Sequence, residues 1–358
     1  MSLVLRLPEH TPNGVDGEIR RLVDLDWRRF VVPRDLPGEP AAALLEYFDP
    51  DLPPEAPRTC RTLVESSRFR GHGVMIETTS PEAAGDWCGF LIEYDERVRA
   101  LAPFARSRIC LLLRGAAARE TLAGGVALGV RSWDGVVGET DMVLWASYLL
   151  RDRGEGPIPR RVMASVIARL ALWDPELALR LADEPNERVL APEPILAEVA
   201  RERGWSQGLD VCDTARWCSG ALCEIEGQKR IHSAALAPLG CGEEVGHRVW
   251  AGQVGVLFPF VEERRRSLID ALGDRLIVPY RPHPAAEEIR DRRDLELSHV
   301  LRQVRQRPTG LPSWMMEALS VLVDIRNRIA HFETVPESLW LDRALSALLA
   351  SRQFGGSA

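Results

Sequence analysis

Lysine is almost absent: of the 45 basic residues in this 358-residue chain, only Lys229 is not arginine. Chemistry that needs a lysine elsewhere is thereby excluded. A Walker-type phosphate loop comes first, because its lysine must reach the nucleotide phosphates. An apolar run Phe30–Pro33, a loop Arg34–Pro40 containing Gly38, and a helical run Ala41–Phe48 have the layout of such a loop, but neither its glycines nor its Lys-Ser/Thr pair. Also missing is any apolar run long enough to cross a bilayer, and the start, MSLVLRLPEH, carries no cleavage-site pattern. The expectation is a cytoplasmic protein with no membrane partner. No Cys-x-x-Cys occurs, so Cys212, Cys218, Cys223, His232, Cys241 and His247 do not have the spacing of a zinc ribbon or finger. Neither a metal nor a cofactor is expected, and the seven cysteines read as free or buried thiols. A global basic field is missing too: 52 acidic residues give a net charge of −7, so any RNA contact must be local, as in the arginine-rich stretch Arg290 to Arg307.

What is present suits a globular chain. A hydrophobic content of 46% with 27% charged residues supplies a sizeable core, and the length allows two or three domains. Strands are expected at Val74–Thr78, Arg108–Leu113 and Val126–Ser132, with a helix opened by Ser80-Pro81-Glu82 and another at Asp141–Leu150. Residues 1–153 therefore read as an α/β domain, a small parallel or mixed sheet with helices. Residues 154–204 read as a helical or winged-helix-like segment, with Asp174-Pro175-Glu176 as an N-cap and first turn. Residues 205–246 read as an irregular connector with a hairpin or loop, and 247–352 as a helical bundle. Within that bundle the spacing predicts helices at His247–Leu272, interrupted at Pro259, at Glu287–Arg305, from Ser313 onward, and from a Thr334 cap through Leu349.

One stretch combines a helical period with a compact polar set. In VLVDIRNRIAHF, Val321 to Phe332, the residues Leu322, Ile325, Ile329 and Phe332 continue an apolar stripe begun by Met315 and Leu319. Ser320, Val323, Asn327 and His331 form a second row, placing Asn327 and His331 one turn apart. Asp324 and Arg328, four apart, are expected to form a surface ion pair.

RNRIAH, Arg326 to His331, resembles the Arg, polar residue, three further residues, His signature of the HEPN family of helical domains. The resemblance implies a bundle over about the last hundred residues. In active members it implies a metal-independent ribonuclease, with Arg326, Asn327 and His331 as site residues. Many other members are non-catalytic. In the N-terminal half VMIET, a Trp- and Tyr-bearing helix and then ICLLLRG are similar to the eroded nucleotide-binding domains of STAND-type proteins of bacterial conflict systems.

For RNA cleavage, an imidazole, which changes charge near neutral pH, suits acid or base, and the planar fork of Arg326 suits phosphate oxygens. One histidine supplies half of that work, so paired motifs in a dimer make better chemical sense. The expectation is a non-catalytic assembly or signalling component of a bacterial conflict system, acting through a protein partner or homodimer of the C-terminal helical domain. The ribonuclease alternative leaves RNA open as a ligand. An apolar, buried motif favours assembly, and a basic groove around Arg326 and His331 favours cleavage.

Overall fold

The computed structural model describes residues 2–9, 30–31, 39–119, 128–154, 156–205, 212–306, 312–343 and 345. An amphipathic segment in the sequence at Glu18–Trp27, and residues 34–38 of the loop Arg34–Pro40, lie outside them. The chain folds as two compact units, Met1–Val137 with Arg201–Ala235, and Gly138–Ala200 with Leu236–Ala358.

The first unit is built on a parallel sheet of four full strands and one two-residue edge, in the order β2-β3-β4-β1-β5. The strands are β1 (Ser2–Leu7), β2 (Phe30–Val31), β3 (Gly73–Thr78), β4 (Arg108–Arg114) and β5 (Leu128–Ser132). The opening apolar run is β1, paired on both sides: Val4 lies opposite Leu111 of β4 and Val130 of β5. Alternation explains how both faces become core. Leu3, Leu5, Leu7, Met75, Cys110 and Leu112 pack on one face, whereas Val4, Val74, Ile76, Ile109, Leu111 and Leu113 pack on the other. Helices α1 (Pro40–Phe48), α2 (Cys60–Glu65) and α3 (Pro81–Val98) cover the Val4 face with Leu44, Leu63, Trp87, Leu91 and Tyr94. The Ser80 side chain accepts the Ala83 N–H, and Pro81 opens α3 as the sequence implied.

Residues expected to form an irregular connector complete this unit. A short helix Asp213–Cys218 puts Trp217 and Cys218 into the sheet's core, and a hairpin of β6 (Leu222–Ile225) and β7 (Gln228–Ile231) follows.

The second unit is helical: α4 (Glu139–Leu149), α5 (Pro157–Ala171), α6 (Pro175–Asp183), α7 (Glu193–Glu202), α8 (Gly242–Leu272), α9 (Leu297–Gln306), α10 (Ser313–Ala330) and α11 (Glu337–Trp340). Three expectations are corrected here. First, α8 runs unbroken through Pro259. Proline removes one backbone donor from a helix of 31 residues, and buried Leu257, Phe260 and Val261 anchor it on both sides. Second, the helix expected from Glu287 starts only at Leu297. Upstream, Tyr280 pairs with Ile289, and the Asp291 side chain accepts the Arg293 N–H, a local bond that competes with helix. Third, α11 opens after Pro336 with no side-chain cap, so Thr334 is not the capping residue. Among the described residues no helix is long and apolar enough to cross a membrane. An α/β N-terminal part followed by a mainly helical C-terminal half is therefore the architecture.

Candidate functional site

Helix α10 sets the motif's geometry. Met315, Ala318, Leu319, Leu322, Ile325 and Ile329 are buried along one stripe, which fixes the rotation of the remaining faces. Phe332, expected to extend that stripe, instead lies past the helix end at φ 59° and is 69% exposed. The helix closes at Ala330, with the His331 N–H donating to carbonyls of the last turn. The Phe332 ring stacks on Trp250 at 4.5 Å between centroids, and Trp250 Nε1 donates to the Ile329 carbonyl at 3.0 Å. Gln253, fully buried on α8, then grips the chain that follows: its Nε2 donates to the Val335 carbonyl and its Oε1 accepts the Val335 N–H, both at 2.8 Å. Farther on, Asn186 Nδ2 donates to Glu337 Oε1 at 2.8 Å, and Arg153 Nη1 donates to Asn186 Oδ1 at the same distance.

Arg326 and His331 do not converge. His331 is exposed and lines an open cleft of about 520 Å³ with Asp324, Asn327, Arg328, Glu333, Pro336, Ser338 and Leu339. Arg326 lines a different cleft, of about 360 Å³, with Phe258, Glu262, Arg265, Arg293, Asp294 and Glu296. Helix geometry accounts for the split, since five residues at 3.6 per turn leave Arg326 and His331 about 140° apart around the axis. Arg326 is engaged there: its Nη2 meets Glu296 Oε2 at 2.5 Å and its Nη1 donates to Asn327 Oδ1 at 3.4 Å. Of the second row, Val323 is buried and the Ser320 hydroxyl accepts from Arg305 Nη2, so only Asn327 and His331 of that row reach the cleft.

Arg328 is the guanidinium that accompanies His331. It pairs with Glu333 at 3.4 Å, not with Asp324 as the spacing suggested. Arg328 and His331, three apart, share a helix face, a relation that the i, i+4 step from Asp324 to Arg328 does not show. Beside Arg326, the Nδ1 of His299 accepts the Glu296 N–H at 3.2 Å. Burial holds the His299 imidazole below the ordinary histidine value; Arg326 and Arg302 push the same way and Glu296 opposes them.

In the first unit, the crevice outside the carboxyl ends of the strands is where open α/β sheets hold ligands. Among the described residues, Arg6, Trp217 and Asp134 bond to one another or to their surroundings near those ends. Arg6 Nε donates to the Ala118 carbonyl at 2.7 Å, and its guanidinium lies 5.2 Å from the centre of the Trp217 ring. Asp134 Oδ1 accepts Trp217 Nε1 at 2.6 Å and the Glu224 N–H at 3.2 Å. Burial pushes the adjacent Cys223 thiol up to about 11, so it is no nucleophile. Among the described residues no group of three His, Cys, Asp or Glu side chains is placed to hold a metal ion.

Comparison with family models, curated proteins and solved structures finds no match to this chain.

Proposed function

We propose that the protein is a non-catalytic assembly or signalling component of a bacterial conflict system, its HEPN-like C-terminal helices serving to dock a partner. The observation that carries this reading is the separation of Arg326 from His331 into different clefts. Metal-free cleavage of RNA needs a cation on the scissile phosphate beside the acid or base. Arg326 is instead bound to Glu296 and Asn327, which makes it a brace between α9 and α10. A second reading, the metal-independent ribonuclease, draws support from the exposure of His331 in an open cleft.

The test is incubation of the purified protein with labelled RNA in a chelator, alongside His331→Ala and Arg326→Ala, with sedimentation of each. The expected result is intact RNA with all three, and self-association or partner capture as the measurable property. Both variants should stay within about 1 kcal/mol of the parent in stability, since His331 is exposed and a partly exposed ion pair such as Arg326–Glu296 contributes little. RNA cleavage by the parent that both folded variants lose would replace this reading with the nuclease.

A further inference from the structure

We propose that the His331 cleft docks an arginine side chain of a partner protein, with an apolar neighbour of that arginine packing against Phe332. The proposal rests on the assembly reading and names its chemistry.

Charge is the first argument. Asp324 and Glu333 bring two carboxylates to the cleft against one guanidinium, Arg328, and the imidazole of His331. Arg328 meets Glu333 at 3.4 Å with both side chains well exposed, a pairing that a better-placed cation can share. Among the described residues Asp324 has no ion-pair partner. The cleft also sits at the C-terminal end of the 18-residue α10, where the helix dipole favours cations. A phosphodiester meets the opposite sign of field, so the features that attract an arginine oppose RNA.

Shape and the adjoining surface supply the second. Asp324, Asn327, Arg328 and His331 recur at steps of three, one and three along α10 and form one wall. Glu333, Ser338 and Leu339 form the other, held by the Gln253 and Asn186 bonds. Carboxylates on both walls match a planar fork with five donors better than a point charge, which selects arginine over lysine. Between His331 and Glu333 the chain presents Phe332, its ring fixed against Trp250 and mostly solvent-exposed. A fixed aromatic ring beside a negative cleft is a suitable seat for the hydrophobic part of an arginine-bearing segment.

The experiment measures binding of a fluorescein-labelled short peptide of alternating arginine and leucine to the full chain by anisotropy, at physiological salt. A lysine-leucine peptide and oligouridylate RNA serve as comparison probes. Asp324→Asn with Glu333→Gln should weaken the arginine peptide by about tenfold or more, the scale of removing close charge partners at an interface. Asp324→Asn alone, which leaves the Arg328–Glu333 contact in place, should give a smaller loss. Phe332→Ser should weaken binding while the chain stays folded, with the melting temperature lowered only by the lost stack on Trp250. Glu55→Gln with Glu96→Gln, which removes the same formal charge from exposed positions of the other unit, should leave binding unchanged. Equal loss in the two double variants, tighter binding of the lysine peptide, or no binding by the parent would overturn the proposal and leave the assembly reading intact. RNA binding lost in His331→Ala, together with cleavage, would overturn both.

Discussion

Gln253 fixes the loop behind the cleft. Its amide meets both polar atoms of the Val335 backbone, and it is fully buried. Gln253→Leu keeps the volume and orphans that N–H and carbonyl, so a loss of about 2 to 4 kcal/mol is expected in urea denaturation, the scale of two unsatisfied buried groups. A value within error of the parent would mean that the loop is held by other contacts. His299 gives a pH dependence. Its imidazole is held below the ordinary value in the folded chain, so the unfolded chain takes the proton first as pH falls. Stability from this residue is therefore full above about pH 6.5 and is lost as pH drops below it toward the folded value. Denaturation midpoints measured from neutral to mildly acidic pH should fall in the parent and fall less in His299→Gln. Neither residue was legible in the sequence as part of the site. Gln253 is one amide in a long helix, and nothing local reveals that its partner is eighty residues on. The motif histidine and asparagine were legible because both lie on one helix face; Arg328 was not, because helix spacing alone cannot choose between Asp324 and Glu333.

Helix periodicity and capping made most elements readable. Helices α3, α6 and α10 begin within a residue or two of the sequence estimate because proline or a capping side chain marks each start. Two errors came from competing local chemistry at Asp291 and from an over-weighted Pro259. A third feature was hidden for a physical reason: β1 is buried on both faces, so it shows an apolar run instead of alternation and cannot be told by period alone. At the same scale, Gly252 sets the crossing of α8 on α5. A Cβ there would lie 2.7 Å from Val166 Cα and 2.9 Å from Val166 N, both backbone atoms that cannot swing aside. Gly252→Ala must push the helices apart and should cost about 1 to 3 kcal/mol, even though alanine is the better helix former by about 1 kcal/mol. Gly246→Ala, in the same helix with nothing within 4 Å of the added carbon, is the control and should be neutral or stabilising. Equal effects at the two positions would refute close packing at Gly252.

The whole molecule is less sequential than its composition suggests. Composition shifts place a boundary near Gly154, and a second near Trp205 where periodicity fades. Spatially the chain leaves the first unit after Val137 and returns to it for Arg201–Ala235. That return was not readable because, among its described residues, the helix Asp213–Cys218 and the hairpin are each too brief to show which unit they pack on. Its role is packing: Trp217, Cys218 and Leu222 join the core that holds Val4, Leu111 and Leu128. The Trp217 indole also bonds Asp134, and the Glu9 N–H donates to the Cys218 carbonyl at 2.7 Å. A chain ending at Val137 therefore leaves the core around Val4, Leu111 and Leu128 without Trp217, Cys218 and Leu222, and Asp134 without its indole donor. Loss of a buried tryptophan alone costs about 3 to 5 kcal/mol, a large share of the 5 to 15 kcal/mol by which domains are stable. The 1–137 fragment should bind a hydrophobic dye and melt without a cooperative transition, while the fragment joined through a flexible linker to 201–235 should melt cooperatively. Cooperative melting of 1–137 at the temperature of the joined fragment would show that the returning segment decorates a unit already complete.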